Sequence, residues 1–146
     1  MKPFTFYLYD PIHSPTLNIP NCKIANIDGD CCRSEEDFHK EISNALHFPE
    51  YYGRNLDSLF DCLSDLEWIE NENIAIQFSN FESILSDEPA KSYYQEALLL
   101  LISDLCSINN EDPSSEDLTK KLYFFINSNE KVVSILEDGE VSFELV

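Results

Sequence analysis

The chain has 146 residues, with 28 Asp and Glu against 9 Lys and Arg, for a formal net charge of −19 at neutral pH. A negative potential of that size repels nucleic-acid phosphates and favours encounter with a basic protein, although solubility alone is a sufficient reading of the charge. At 43% hydrophobic and 12% aromatic the sequence is too apolar for a disordered acidic tail, while its longest apolar run, Ala97 to Ile102, falls far short of the ~20 residues of a membrane span.

Phe4 to Tyr9 is aromatic and β-prone and reads as a strand, after which Pro11, Pro15 and Pro20 keep the chain irregular until Lys23. Lys23 to Asp28 is a second strand, ended by Asp28-Gly29-Asp30. Ser34 with Asp37 three residues on resembles a capping box with a shorter acid, and Phe38, Ile42, Ala45 and Leu46 follow at helical spacing, predicting a helix over 34–46. Pro49 ends helical geometry before it, Gly53 permits a tight turn, and Asn55 is a good N-cap for the next helix. Ile74 to Phe78 reads as a buried strand and Asn80 to Leu85 as a short helix. Pro89 suits the first position of a long helix reaching about Ser107, apolar nearly all round at Ala97 to Ile102. Asn109 to Asp117, polar and containing Pro113, predicts an exposed loop before a strand at Leu122 to Ile126. Val132 to Glu137 and Glu140 to Leu145 flank Asp138-Gly139, a dipeptide favoured in type I′ turns, and so predict a terminal β-hairpin. Single strands alternating with helices imply a parallel sheet.

Cys22, Cys31, Cys32, Cys62 and Cys106 are odd in number and contain no CxxC pair, which suits reduced thiols in a cytoplasmic protein better than disulfides or zinc, with Cys62 and Cys106 as small core residues. The start, Met1-Lys2-Pro3-Phe4-Thr5, lacks the form of a secretion signal. Three glycines supply no phosphate-binding loop, and no metal or cofactor is expected.

On a helical wheel for Asn55 to Leu66, Leu56, Leu59, Phe60, Leu63 and Leu66 share one arc, and Asp57, Asp61 and Asp65 lie opposite. The aspartates are like-charged neighbours at i,i+4, each pair costing about 0.2–0.5 kcal/mol when exposed, and only Asp57 lies where the helix dipole helps. An ordinary solvated face is one reading; a surface held for an external cation is the other. Tyr51 and Tyr52 precede this face in a stiff loop, where tyrosine could supply contact area to a partner or pack inward, the inward position being preferred for Tyr52.

The run Pro49-Glu50-Tyr51-Tyr52-Gly53-Arg54-Asn55-Leu56-Asp57-Ser58-Leu59-Phe60-Asp61-Cys62-Leu63 resembles the barstar family, intracellular inhibitors of the ribonuclease barnase, and the likeness extends back through Phe38-His39 and Arg33-Ser34 to Ile27-Asp28-Gly29. The resemblance implies an α/β fold with a small parallel three-stranded sheet packed with helices over residues 23–127. An N-terminal strand within residues 1–22 and a C-terminal β-hairpin within residues 128–146 would extend it, all in one domain. It implies a monomer when free that plugs the basic active site of a ribonuclease one to one. Asp61 would stand where a substrate phosphate binds, supported by Asp57, Asn55, Tyr51 and Gly53, with Leu56 and Ser64 as lesser contacts and Asp104 as a long-helix acid matched on apolar pattern only. Phe60 occupies a partner-binding position where the family has tryptophan, Ser64 replaces threonine, and Leu66 takes the place of a second tryptophan. Arg54 puts a cation where the family has an acid, which points to a different target ribonuclease.

Two other readings keep the acidic face: an immunity protein against another nuclease toxin, and an acidic interaction module with a non-nuclease partner. Catalysis by Asp57 and Asp61 with His13, His39 or His47 finds no nucleophile or metal spacing to support it, so no enzymatic activity is expected. His39 reads as a half-buried helix residue.

Overall fold

Phe6-Tyr7-Leu8-Tyr9 and Leu122-Tyr123-Phe124-Phe125-Ile126 are apolar at consecutive positions, and such strands must be covered on both faces. The computed structural model, which describes residues 1–13, 15, 17–111 and 120–146, shows how this is done. Among those residues β1 (Phe6–Tyr9), β2 (Cys22–Asp28), β3 (Asn73–Ser79), β4 (Lys121–Asn127) and β5 (Phe143–Leu145) form one all-parallel sheet in the order β2-β3-β4-β1-β5. The register sets Ile76 beside Phe124 and Phe124 beside Phe6. The connecting helices are α1 (Glu35–Leu46), α2 (Leu56–Asp65), α3 (Lys91–Glu111) and α4 (Glu130–Asp138).

All four helices lie on one face. Phe38 and Ile42 of α1, Leu59 and Leu63 of α2, Leu98 and Ile102 of α3, and Val132 and Leu136 of α4 join Phe6, Leu8, Ile27, Ile76, Phe78 and Phe124 in one buried cluster. The alternate sheet positions Tyr7, Tyr9, Ala75, Tyr123 and Phe125 form a second cluster, covered by Leu17 and Ile19 from the proline-containing stretch between β1 and β2. That stretch runs back over β4 and β3, opposite in direction to the other crossovers and on the opposite face, so every parallel connection keeps the same hand. Among the described residues no helix is long and apolar enough to cross a membrane.

In place of the expected three-stranded core extended by an N-terminal strand and a terminal hairpin there is one five-stranded parallel sheet, in which the N-terminal strand β1 is present but the hairpin is not formed. Asn129 caps a helix, its side chain accepting from the Val132 N–H, and Val132 and Leu136 are buried at i,i+4 spacing. The Asp138-Gly139 pair ends that helix instead of turning a hairpin, the Gly139 N–H donating to the Ile135 carbonyl. β5 then pairs with β1 in parallel, and a parallel partner requires a crossover, not a two-residue turn. Three smaller differences follow local chemistry. The segment after Asn80 is a single 3₁₀ turn, Phe81–Ser83, because Ile84 is already extended. Pro89 stays in the preceding turn, two residues before α3. α3 continues to Glu111, taking in Asn109 to Glu111 of the expected loop, the remainder of which, with Pro113, lies outside the described residues.

Gly29, directly after β2, is fixed by contact. A Cβ there would lie 1.9 Å from the backbone oxygen of Asn80, so a side chain cannot enter without moving backbone. Gly29→Ala is expected to cost about 1–3 kcal/mol, seen as a lower urea midpoint with unchanged m-value.

Candidate functional site

The loop from α1 to α2 is built from successive local constraints. His47 closes α1 in the left-handed region at φ 53°, and the Phe48 N–H donates back to the Ser43 carbonyl at 3.0 Å. The Tyr52 N–H then donates to the Pro49 carbonyl at 3.0 Å, closing a turn. Gly53 packs so closely on α2 that a Cβ would meet Ser58 Oγ at 2.4 Å. Arg54 takes a left-handed conformation at φ 54°, which a non-glycine residue adopts only when its surroundings hold it there. Asn55 is extended; its Oδ1 accepts from the Ser58 N–H at 2.8 Å and its Nδ2 donates to the Gly53 carbonyl at 3.3 Å, so one side chain both starts α2 and ties it to the loop. Asn55→Ala should cost about 1 kcal/mol of unfolding free energy in a urea titration, the ordinary value of a lost N-cap.

Below the loop is an aromatic stack. Phe48 meets Tyr52 edge-on at 4.7 Å between ring centroids and Trp68 at 6.2 Å, and Trp68 Nε1 donates to the Leu46 carbonyl at 2.9 Å. The two adjacent tyrosines divide: Tyr52 is 9% exposed and Tyr51 72%. The Tyr52 hydroxyl lies 2.5 Å from Nδ1 of His39 on α1. His39 is 2% exposed, so the expected half-buried position is corrected: the loop folds back over it. Burial, with the Arg54 charge adding to it, lowers its pKa from 6.5 to about 4.

α2 presents Leu59, Cys62 and Leu63 to the core and ends at Leu66, buried in a left-handed conformation. Leu56 and Phe60 are half-buried. Asp57 and Asp61 are exposed, Asp65 partly so, and Ser64 is exposed with its hydroxyl donating to the Phe60 carbonyl at 2.8 Å. None of the three aspartates has an ion-pair partner among the described residues, and neither does Arg54. Tyr51, Gly53, Asn55, Asp57 and Asp61 are therefore brought onto one loop-and-helix surface. Asp104 is exposed on α3, away from its buried Leu98, Ile102 and Leu105, and no ion pair ties it to that surface among the described residues.

The anchor beneath the loop, His39, belongs to no motif of its own. On the α1 wheel His39 lies about 20° from Leu46, inside the apolar arc, and that was the available signal. Nδ1 of this buried imidazole is taken up by the Tyr52 hydroxyl. Among the described residues no group of three or more His, Cys, Asp or Glu is arranged to hold a metal ion. The cysteines are unpaired; Cys32, Cys62 and Cys106 are buried, and burial pushes the Cys106 thiol up to about 12. What the surface offers is a row of carboxylates without ion-pair partners among the described residues, beside an exposed tyrosine.

Residues 22–116 match the family model described as barstar (barnase inhibitor). A curated protein of Bacillus subtilis (strain 168), named "Putative ribonuclease inhibitor YrdF", is 41% identical over 56 residues, a stretch covering 38% of this chain and 58% of that relative.

Proposed function

The chain belongs to the barstar (barnase inhibitor) family, and from that premise we propose that it is a protein inhibitor of a barnase-like ribonuclease. In this reading Asp61 enters the basic site that otherwise receives a substrate phosphate. Asp57, Asn55, Tyr51 and Gly53 support it, Leu56, Phe60 and Ser64 lie at the margin, and Asp104 contributes from α3. The observation that carries the reading is the unpaired aspartate row of α2 behind a loop locked by its own turns. Repulsion along that row is unrelieved among the described residues, and arginines or lysines at a phosphate site would relieve it through charge-assisted hydrogen bonds. The net charge of −19 would speed encounter with such a target, an effect that weakens as salt rises. The free thiols suit a reducing, cytoplasmic setting.

The test is a titration of the activity of a barnase-like ribonuclease with this protein. Stoichiometric loss of activity is expected, with an association rate that drops about tenfold or more between low and physiological salt. Full activity in the presence of excess protein, for every such ribonuclease tried, removes the reading. Arg54 favours a second version, an immunity protein whose nuclease toxin carries an acid at the rim of its basic site. Affinity capture that retains a different class of nuclease would support it, and capture of non-nuclease proteins alone would leave only an acidic interaction module.

A further inference from the structure

We propose that His39 is a positioning residue for the partner-binding loop, holding Tyr52 from beneath so that Tyr51 and Arg54 are presented in one fixed shape. The proposal rests on the inhibitor reading for its purpose, and on geometry for its mechanism. Tyr51 and Tyr52 are neighbours in sequence with opposite fates, one exposed and one buried, so whatever fixes Tyr52 also fixes where Tyr51 points. Two kinds of contact fix it. The aromatic contacts with Phe48 and with His39, whose ring lies 5.7 Å away, set its depth but allow the ring to slide. The 2.5 Å contact between hydroxyl and Nδ1 is directional and sets its position along α1. Phe38, edge-on to the imidazole at 5.1 Å, holds the histidine in turn.

The imidazole is neutral at physiological pH and burial also keeps the Tyr52 phenol protonated, so in the Nε2–H tautomer the hydroxyl donates and Nδ1 accepts. The Tyr52 hydroxyl has no other hydrogen-bond partner among the described residues, and losing this acceptor would leave a buried donor unsatisfied. The loop would regain satisfaction only by lifting Tyr52 toward water, and Tyr51 would move with it. A loop already in its bound shape has no ordering entropy left to lose at the interface, so loosening it should appear chiefly as faster dissociation.

Three variants of the full chain separate positioning from general stability. His39→Leu keeps bulk but removes the acceptor, His39→Gln restores a carbonyl acceptor, and Tyr52→Phe keeps the ring but removes the donor. Amide hydrogen exchange is followed for residues 51–54 and for β3 and β4, and dissociation is followed from barnase as the probe. His39→Leu and Tyr52→Phe should each speed exchange at residues 51–54 about tenfold while leaving β3 and β4 unchanged. The double variant should be no worse than either, and His39→Gln should recover much of the loss; dissociation should follow the same order. Loop exchange equal to wild type in Tyr52→Phe would overturn the proposal, as would loop and sheet amides accelerating together; Tyr52→Phe decides if His39→Leu fails to fold. Should barnase not bind the wild type, the inhibitor reading loses that target, while the exchange pattern still decides the role of His39.

Discussion

Asp61→Ala is expected to weaken binding to a barnase-like ribonuclease by about 150- to 5,000-fold while leaving the inhibitor folded. The carboxylate is exposed and makes no ion pair among the described residues, so its removal is expected to cost the free protein nothing. It should even gain a few tenths of a kcal/mol, because two i,i+4 repulsions, with Asp57 and with Asp65, disappear. In the complex the balance reverses. A carboxylate closed in among arginines and lysines is desolvated together with them, and removing one side of such a pair leaves buried charge without a partner, at about 3–5 kcal/mol, which is the quoted factor in Kd. Calorimetric titration against the ribonuclease together with thermal melting of the free variant reads both halves. A Kd within a few-fold of wild type would displace Asp61 from the centre of the interface, and a lowered melting temperature would show that it has a structural role not visible in its contacts. Asp57→Ala should gain less stability than Asp61→Ala, since it relieves a single i,i+4 repulsion and also removes a favourable interaction with the helix dipole in the first turn of α2.

What could be read from the residues divides along the range of the forces involved. Ser34 and Asn55 were legible as helix starts because capping is settled within three residues, and both side chains accept the expected N–H, from Asp37 and Ser58. The acidic face of α2 was legible because a 3.6-residue period needs no tertiary information. The C-terminal segment was misread because Val132-Val133-Ser134-Ile135 is β-prone, and Asp-Gly serves a helix end as readily as a hairpin. The choice between them belongs to the sheet: β1 offers β5 a parallel edge, and Leu136 fills the helix-covered face. Nor could any local pattern place β1 between β4 and β5, since that pairing joins residues more than a hundred positions apart. His39 is the intermediate case. Its position within the apolar arc of α1 was visible, but its burial depends on a loop folding back over it, which only the assembled structure shows.

The same burial fixes the second large effect, on stability against pH. An imidazole of pKa about 4 in the native state and 6.5 when unfolded takes up its proton preferentially in the unfolded chain between those values. Its contribution to stability is therefore fully present above about pH 6.5, declines as pH falls, and is exhausted near pH 4, where both states are protonated. The difference amounts to roughly 3 kcal/mol, a large share of the ~5–15 kcal/mol by which domains are ordinarily stable. Over the same range the many carboxylates begin to neutralise and self-repulsion falls, which opposes the loss and would hide it in the wild-type curve alone. His39→Gln shares those carboxylates but has no imidazole, so the informative quantity is the difference between the two proteins. Urea unfolding at pH 7, 5.5 and 4 should show the wild type losing about 3 kcal/mol relative to the variant, with most of the loss between pH 6.5 and 4. Parallel curves would mean that the imidazole reaches solvent and that Tyr52 does not seal it. A converging pair of curves would tie the stability of the fold to the burial of the imidazole beneath the loop.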